Sequence, residues 1–241
     1  MGMIIAPQPN TLSVAGTLLS TFGVYQSGNK TFASAEKDLE YIEIPGKSGD
    51  LVIDRNRFRN ITREYDCFIV STDEADFRTK IRNLADFLGS LRTYARIEDT
   101  YHPDEYVMGI PEAVDPEVLE NLRGANFTLA FNCKPQRFIK TTPVSLSATG
   151  NTDLVNPSRQ TAKPLVTMTG AGVLTFGSQS ITTVGSGKHT IDCELMTMAG
   201  PNGENQNGNV VFNVDQIVLP AGTTHVTSTV AATIDPRWWR V

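Results

Sequence analysis

Short runs of alternating apolar and polar residues make up most of this chain, and only one stretch has the period of a helix. Alternation puts every second side chain on the same face, as in a strand with one buried side. In the second half such runs follow one another closely, with Gly or Asn between them, as at residues 173–176, 190–193 and 225–227. Closely spaced short strands are typical of antiparallel sandwiches. The predicted fold class is therefore mainly β, with one main helix.

The single helical pattern begins near residue 71. Five apolar residues recur at steps of four and three and so form one stripe: Phe77, Ile81, Leu84, Leu88 and Leu91. Ser71 and Glu74 have the spacing of a capping box, in which two side chains satisfy backbone N–H groups of the first turn. We expect this helix to lay its stripe against a sheet.

Charge is distributed unevenly along the 241 residues. Residues 1–140 hold 16 Lys and Arg and 20 Asp and Glu, whereas residues 141–241 hold only five and six. Such a break usually marks a domain boundary. The prediction is an N-terminal domain at residues 1–140, a linker at 141–155, where Pro and Gly interrupt a weak apolar pattern, and a C-terminal β-sandwich at 156–241.

A β-hairpin is predicted at residues 41–53, where two alternating runs flank a turn that contains Pro45, Gly46 and Gly49. Four arginines follow closely: Arg55, Arg57, Arg59 and Arg63. In an extended chain the first three share a face. One interpretation is a solvated face that Asp54, Glu64 and Asp66 neutralise. Another is a protein contact, since Arg is enriched at interfaces and forks onto carboxylates. Nucleic-acid binding ranks third, because a net charge of −5 gives a weak attraction to phosphate.

The residues that carry catalysis or bind metals do not form a recognisable set. His102, His189 and His225 are scattered, with no metal-ligand spacing around them. The three cysteines lie far apart in strand-like runs, which favours buried, reduced thiols over nucleophiles or disulfides. The glycine-rich segment at 184–189 departs from a phosphate loop at both its first Gly and its final Ser or Thr. We therefore expect no catalytic site, no cofactor and no metal.

Six segments along the chain carry a family resemblance. They are FGVY at 22–25, IPGKSGDL at 44–51 followed by RFRNITR at 57–63, RIEDTY at 96–101, FTLAFNCKP at 127–135, the series NP, KPL and TIDCE between 156 and 194, and IDPRWW at 234–239. Their order and spacing resemble the distal tail protein family, called Dit, of long-tailed bacteriophages. The resemblance covers nearly the whole chain.

The resemblance implies a structural virion protein with two parts. The N-terminal part would be a tail-tube-like domain of two packed sheets with a flanking helix and a belt hairpin, and the C-terminal part a galectin-like β-sandwich. Dit proteins form a ring, here expected to be hexameric, that joins the tail tube to the adsorption apparatus. The residues we expect at the subunit interface are Pro45, Gly46, Gly49, Arg55, Arg57, Arg59 and Arg63.

The partners that the resemblance implies are neighbouring copies of the chain, the tail tube protein, a tail-tip hub or tail-associated protein and, as a further candidate, a receptor-binding protein. We expect no membrane partner, and DNA would pass through the ring without sequence-specific recognition. The protein would be made in the host cytoplasm and reside at the tail tip of the virion. The alternative is a carbohydrate-binding sandwich that contacts the host wall, with Trp238 or Trp239 as the exposed aromatic residue.

Overall fold

Two compact units make up the chain, and each has its own core. A computed structural model describes residues 10–27, 34–112, 117–118 and 124–241. The first unit runs to Arg137 and the second from Phe138 to Arg240. Both are built mainly of strands, and the only α-helix among the described residues belongs to the first. The predicted fold class, mainly β with one helix, is confirmed.

The first unit contains one large antiparallel sheet, a separate hairpin and the helix. Its strands are β1 (Leu12–Val14), β2 (Thr17–Leu18), β3 (Val24–Gln26), β4 (Lys37–Ile42), β5 (Leu51–Phe58), β6 (Ile61–Val70), β7 (Ala95–Asp99), β8 (Glu105–Pro111), β9 (Glu117–Val118) and β10 (Gly124–Ile139). A short 3-10 helix covers Leu19–Phe22, and the helix α1 covers Glu74–Ser90. The sheet order is β2-β1-β7-β8-β10-β6-β3, with β9 also on β10, while β4 pairs with β5.

The core of the first unit follows from alternation along β6 and β10. Tyr65, Cys67 and Ile69 of β6 are buried and stand opposite Leu129, Phe127 and Ala125 of β10, which are buried as well. Helix α1 adds Phe77, Leu84 and Leu88 to the same cluster, and Ile81 and Leu91 pack at its margin. The predicted stripe therefore packs against the sheet, as expected.

The predicted capping box lies two residues too early. Asp73, not Ser71, is the N-cap, and its side chain accepts a hydrogen bond from the Asp76 N–H at 2.9 Å. Asp76 reaches back to the Thr72 N–H, also at 2.9 Å. The arrangement is like a capping box, except that Asp76 accepts from the residue before the N-cap. The charge of both carboxylates also favours the positive end of the helix dipole.

The second unit is a sandwich of two five-stranded sheets. The ten strands of these sheets are β11 (Val144–Leu146), β12 (Asn151–Asn156), β13 (Leu165–Thr169), β14 (Gly172–Phe176), β15 (Gln179–Thr183), β16 (Lys188–Asp192), β17 (Thr197–Ala199), β18 (Val210–Phe212), β19 (Gly222–Ser228) and β20 (Ala232–Asp235). A 3-10 turn covers Asn207–Asn209, and the last strand, β21 (Trp239–Arg240), belongs to neither sheet. The sheet orders are β11-β20-β13-β16-β17 and β12-β19-β14-β15-β18. Met168 and Ile191 from one sheet and Phe176 and Val226 from the other are fully buried in a single cluster.

The segment expected to be a linker, residues 141–155, carries strands of this sandwich. It contains β11 and all of β12 except the last residue, and it buries Leu146 and Leu154 in the second core. The division between the units falls at Arg137 and Phe138, near the predicted end of the first domain at 140. Pro143 directly precedes β11 and Gly150 directly precedes β12, and both are edge strands. Pro and Gly are common beside edge strands as well as in linkers.

Because β12 pairs with β19 along its whole length, the second unit should need residues 138–155. We predict that a fragment of residues 138–241 unfolds cooperatively on heating, whereas a fragment of residues 156–241 does not. In the full chain, Leu154→Ala should cost about 2–4 kcal/mol of unfolding free energy. Circular dichroism melting measures all three. Equal melting temperatures for the two fragments would show that residues 141–155 are a linker and not part of the sandwich.

Candidate subunit interface

The hairpin formed by β4 and β5 is a two-stranded sheet of its own. Tyr41 stands opposite Val52, and Ile42 opposite Leu51. In the turn, Gly46 and Gly49 have φ angles of +80° and +85°, which a side chain would strain, and Lys47 N–H donates to the Ile44 carbonyl at 3.1 Å. The hairpin predicted from the sequence is confirmed, and Pro45 lies with both glycines in its exposed turn.

Both faces of this hairpin expose apolar side chains. The register puts Ile42, Leu51 and Ile53 on one face and Tyr41 and Val52 on the other. Their exposed fractions run from 40% to 62%. A two-stranded hairpin alone in water is marginally stable, and clustered exposed apolar side chains commonly mark interaction sites. We call these five residues the apolar tip.

Three of the predicted interface arginines bind carboxylates on the facing strand. Arg57 Nε donates to one oxygen of Asp38 at 2.6 Å, and Arg59 donates to the other through Nε at 3.1 Å and Nη2 at 2.9 Å. Arg55 Nη2 donates to Glu40 at 2.9 Å. All three arginines thus reach Asp38 or Glu40, which lie two residues apart on β4. The register shifts beside them, between Lys37 and Leu39 of β4.

Asp38 is the centre of this cluster. Its side chain is only 6% exposed, although the side chains of Arg57 and Arg59 remain 69% and 60% exposed. Hydrogen bonds from Arg57 and then Arg59 lower the pKa of the Asp38 carboxyl, against the opposing effect of desolvation. The arginines thus pair with acids of β4, not with Asp54, Glu64 or Asp66 as one interpretation of the sequence had it. These pairs join the two strands of the hairpin next to its apolar tip.

The structure separates Arg63 from the other candidates. It belongs to β6 and stands opposite Phe131 of β10, within the large sheet. It lines a cavity of the first unit together with Tyr65, Asp99, His102 and Arg137. It is therefore not part of the hairpin cluster.

Other residues considered from the sequence occupy structural positions. Trp238 is 4% exposed, and Trp239 is half-buried and donates its indole N–H to the Thr161 carbonyl at 2.9 Å. The three cysteines are free and buried, and burial raises the pKa of Cys133 to about 11 and of Cys193 to about 12. Within the described ranges, no group of metal-ligating side chains occurs, and no helix has the length and apolarity to cross a membrane.

Sequence reasoning missed the two acids and the apolar tip. Asp38 and Glu40 have the same two-residue spacing as the arginines, which would have indicated cross-strand pairs if the hairpin had been extended back to residue 37. The exposure of the apolar tip could not be predicted, because period two does not show which face of a strand is covered.

Comparison with known proteins gives the following matches. Residues 17–133 match the family described as phage tail protein RIFT-related domain. The crystal structure of Dit from phage SPP1 superposes with a TM-score of 0.69 at 17% identity, covering 94% of this chain and 97% of that one. Two chains from the phage p2 baseplate in its activated conformation, with Sr and with Ca, each give a TM-score of 0.61. The chain with Sr is 9% identical, and the match covers 95% of this chain and 98% of that one. The chain with Ca is 7% identical, and the match covers 94% of this chain and 97% of that one. No curated protein matches the sequence.

The Asp38 cluster predicts a pH dependence confined to the hairpin. A carboxyl whose pKa is lowered in the folded state stabilises it fully above the ordinary value of about 4, and the contribution is lost as pH falls through the lowered value. Amide hydrogen exchange of residues 37–58, corrected for intrinsic rates, should therefore accelerate as the pH falls below about 4. In the Asp38→Asn variant the amides of residues 37–58 should exchange fast already at pH 6.

The matched control is Glu40→Gln, which removes one exposed pair and should change hairpin exchange far less. If Asp38→Asn and the unmodified protein exchange alike at pH 6, the arginine cluster does not hold the hairpin.

Proposed function

Since residues 17–133 place this chain in the phage tail protein RIFT-related family, and its whole fold is that of a Dit protein, we propose that copies of it form a ring at the distal end of a phage tail. A structural role in the tail or baseplate follows from the family. We propose the finer points: a hexameric ring, tail-tube contact on one side and adsorption proteins on the other. SPP1 Dit is itself described as a paradigm of a hub adsorption apparatus.

The observation that carries the ring proposal is the apolar tip. A closed ring needs a heterologous interface, in which one patch of each copy meets a different patch of the next. Among the described residues this hairpin pairs with no strand of the large sheet, and it exposes apolar side chains on both faces, so it offers such a patch. The edge backbone groups of β4 and β5 add hydrogen-bonding capacity toward a neighbour.

The arginines support this contact indirectly. Arg55, Arg57 and Arg59 bind acids of their own hairpin, so their first role is to hold the tip in shape before a neighbour arrives. Holding an element in its bound shape lowers the entropy lost on association. We propose that Pro45, Gly46 and Gly49 shape the turn, that the apolar tip makes the contact, and that Arg63 has the separate role argued below.

We propose that the protein acts without catalysis. The three thiols are buried, and burial raises the pKa of Cys133 and Cys193, whereas thiolates rather than thiols are the nucleophilic species. Trp238 is buried in the sandwich, and Trp239 donates its indole N–H to a backbone carbonyl. Neither of the candidate tryptophans for sugar binding is therefore a fully exposed aromatic side chain. No described feature favours a carbohydrate site over the ring.

Leu51→Lys with Ile53→Lys should abolish assembly while leaving the fold intact. Both side chains are more than 40% exposed, and exposed substitutions usually change stability by about 0.5 kcal/mol or less. A charge at the tip would be desolvated at every interface around the ring. Light scattering gives the mass, and thermal melting gives the stability. If the isolated protein is monomeric, incorporation into assembled tails replaces the mass measurement.

The matched control is Val155→Lys with Val211→Lys, two exposed strand residues of the second unit. Assembly that survives the tip substitutions, or that fails equally in the control, would rule out the apolar tip as the ring contact.

A further inference from the structure

Charged residues continue the inward face of four strands in the first unit. The residues that alternate inward along β6, β7, β8 and β10 include four charged ones: Arg63, Asp99, Glu105 and Arg137. The side chains of Asp99, Glu105 and Arg137 are only 9%, 13% and 15% exposed. Side chains of period two keep their face along a strand, so these four residues extend the apolar core as a polar layer.

The polar layer lines a partly open cavity of about 130 Å³. Tyr65, His102 and Tyr106 complete much of its lining. Burial raises the pKa of the Tyr65 phenol, which therefore remains protonated and uncharged. Since a water molecule takes about 30 Å³ of liquid volume, the cavity has room for a group of a few heavy atoms.

Both carboxylates of the layer already have basic partners. Arg137 Nη2 lies 2.5 Å from Glu105 Oε2. His102 Nδ1 lies 3.1 Å from each Asp99 oxygen, and the His102 backbone N–H donates to Asp99 at 2.7 Å. Glu64 also lines the cavity. Neither of the two pairs includes Arg63.

Arg63 has buried donors that no described residue satisfies. Its Nε and Nη2 are both buried, and no described oxygen or nitrogen accepts from them. A buried donor without an acceptor costs free energy, most of all when it is charged. The Nε–H and Nη2–H bonds are parallel and match two oxygens of a carboxylate or a phosphate. An acceptor with two oxygens would satisfy both of these donors.

We propose that this cavity is an oxyanion site in which Arg63 binds two oxygens of a phosphate or carboxylate group. His102 and Arg137 add positive or polar surface around the same space. The oxyanion can come from a free ion or from an acidic side chain of a neighbouring copy. The first source is independent of the proposed ring, whereas the second rests on it.

The test compares thermal unfolding in phosphate, acetate and chloride at equal ionic strength, with Arg63→Gln and Arg78→Gln as variants. Arg78 is an exposed helix residue paired with Glu74, so its variant controls for the loss of one arginine. If the source is a free ion, phosphate should raise the melting temperature of the parent and of Arg78→Gln by roughly 2–4 °C. Arg63→Gln should not respond.

A second measurement distinguishes a free ion from a neighbour's carboxylate. It uses the unmodified protein, so it remains valid if a variant folds poorly. Phosphate should slow hydrogen exchange in residues 61–70 and 105–111 of the unmodified protein. Arg63→Lys keeps the charge but not the fork, and should respond weakly. If the source is a neighbour's carboxylate, no ion changes melting or exchange, and Arg63→Gln and Arg63→Lys lose assembly while Arg78→Gln retains it.

Two outcomes would overturn the site. One is an equal phosphate response in Arg63→Gln and the parent, which would mean an ion bound elsewhere. The other is an unmodified protein that responds to no ion and assembles as well with Arg63→Lys, which would mean that the cavity holds water only. Failure of the apolar tip substitutions to block assembly would leave the free-ion result unaffected, so the two proposals fail separately.

Discussion

Pairing between β6 and β10 is the interaction on which the first unit depends. It runs without a break from Gly124 opposite Val70 to Cys133 opposite Ile61, and it fixes which face of both strands is buried. A shift by one residue would turn Tyr65, Cys67 and Phe127 away from the core. The same register extends the inward face to Arg63, so the apolar core and the polar layer arise from one alternation.

The hairpin precedes β6 directly in the chain but is stabilised in a different way. Where the large sheet uses buried apolar side chains, β4 and β5 use the carboxylate of Asp38 between Arg57 and Arg59. Exposed ion pairs contribute little to stability as a rule, whereas a forked pair on a nearly buried carboxylate contributes more. This leaves the apolar tip free for a neighbour while its shape is maintained from within.

Alternation and helical period were enough to predict the strands, the helix stripe and the hairpin, because burial itself produces these periods. They were not enough at three places. The capping residue differed because Asp73 and Ser71 are both good caps and only the fold chooses between them. Residues 141–155 have a linker's composition but bury Leu146 and Leu154. Arg63 was grouped with Arg55, Arg57 and Arg59 because spacing along the chain does not show where one strand ends and the next begins.

The central claim is that the apolar tip of the hairpin is covered by a neighbouring copy in the assembled tail. Hydrogen exchange of residues 39–53, measured in intact tails and in the isolated monomer, tests this most directly. The account predicts strong protection of these residues in tails and rapid exchange in the monomer, while β13 and β16 of the second core exchange alike in both. Equal exchange of the hairpin in tails and monomer would contradict it.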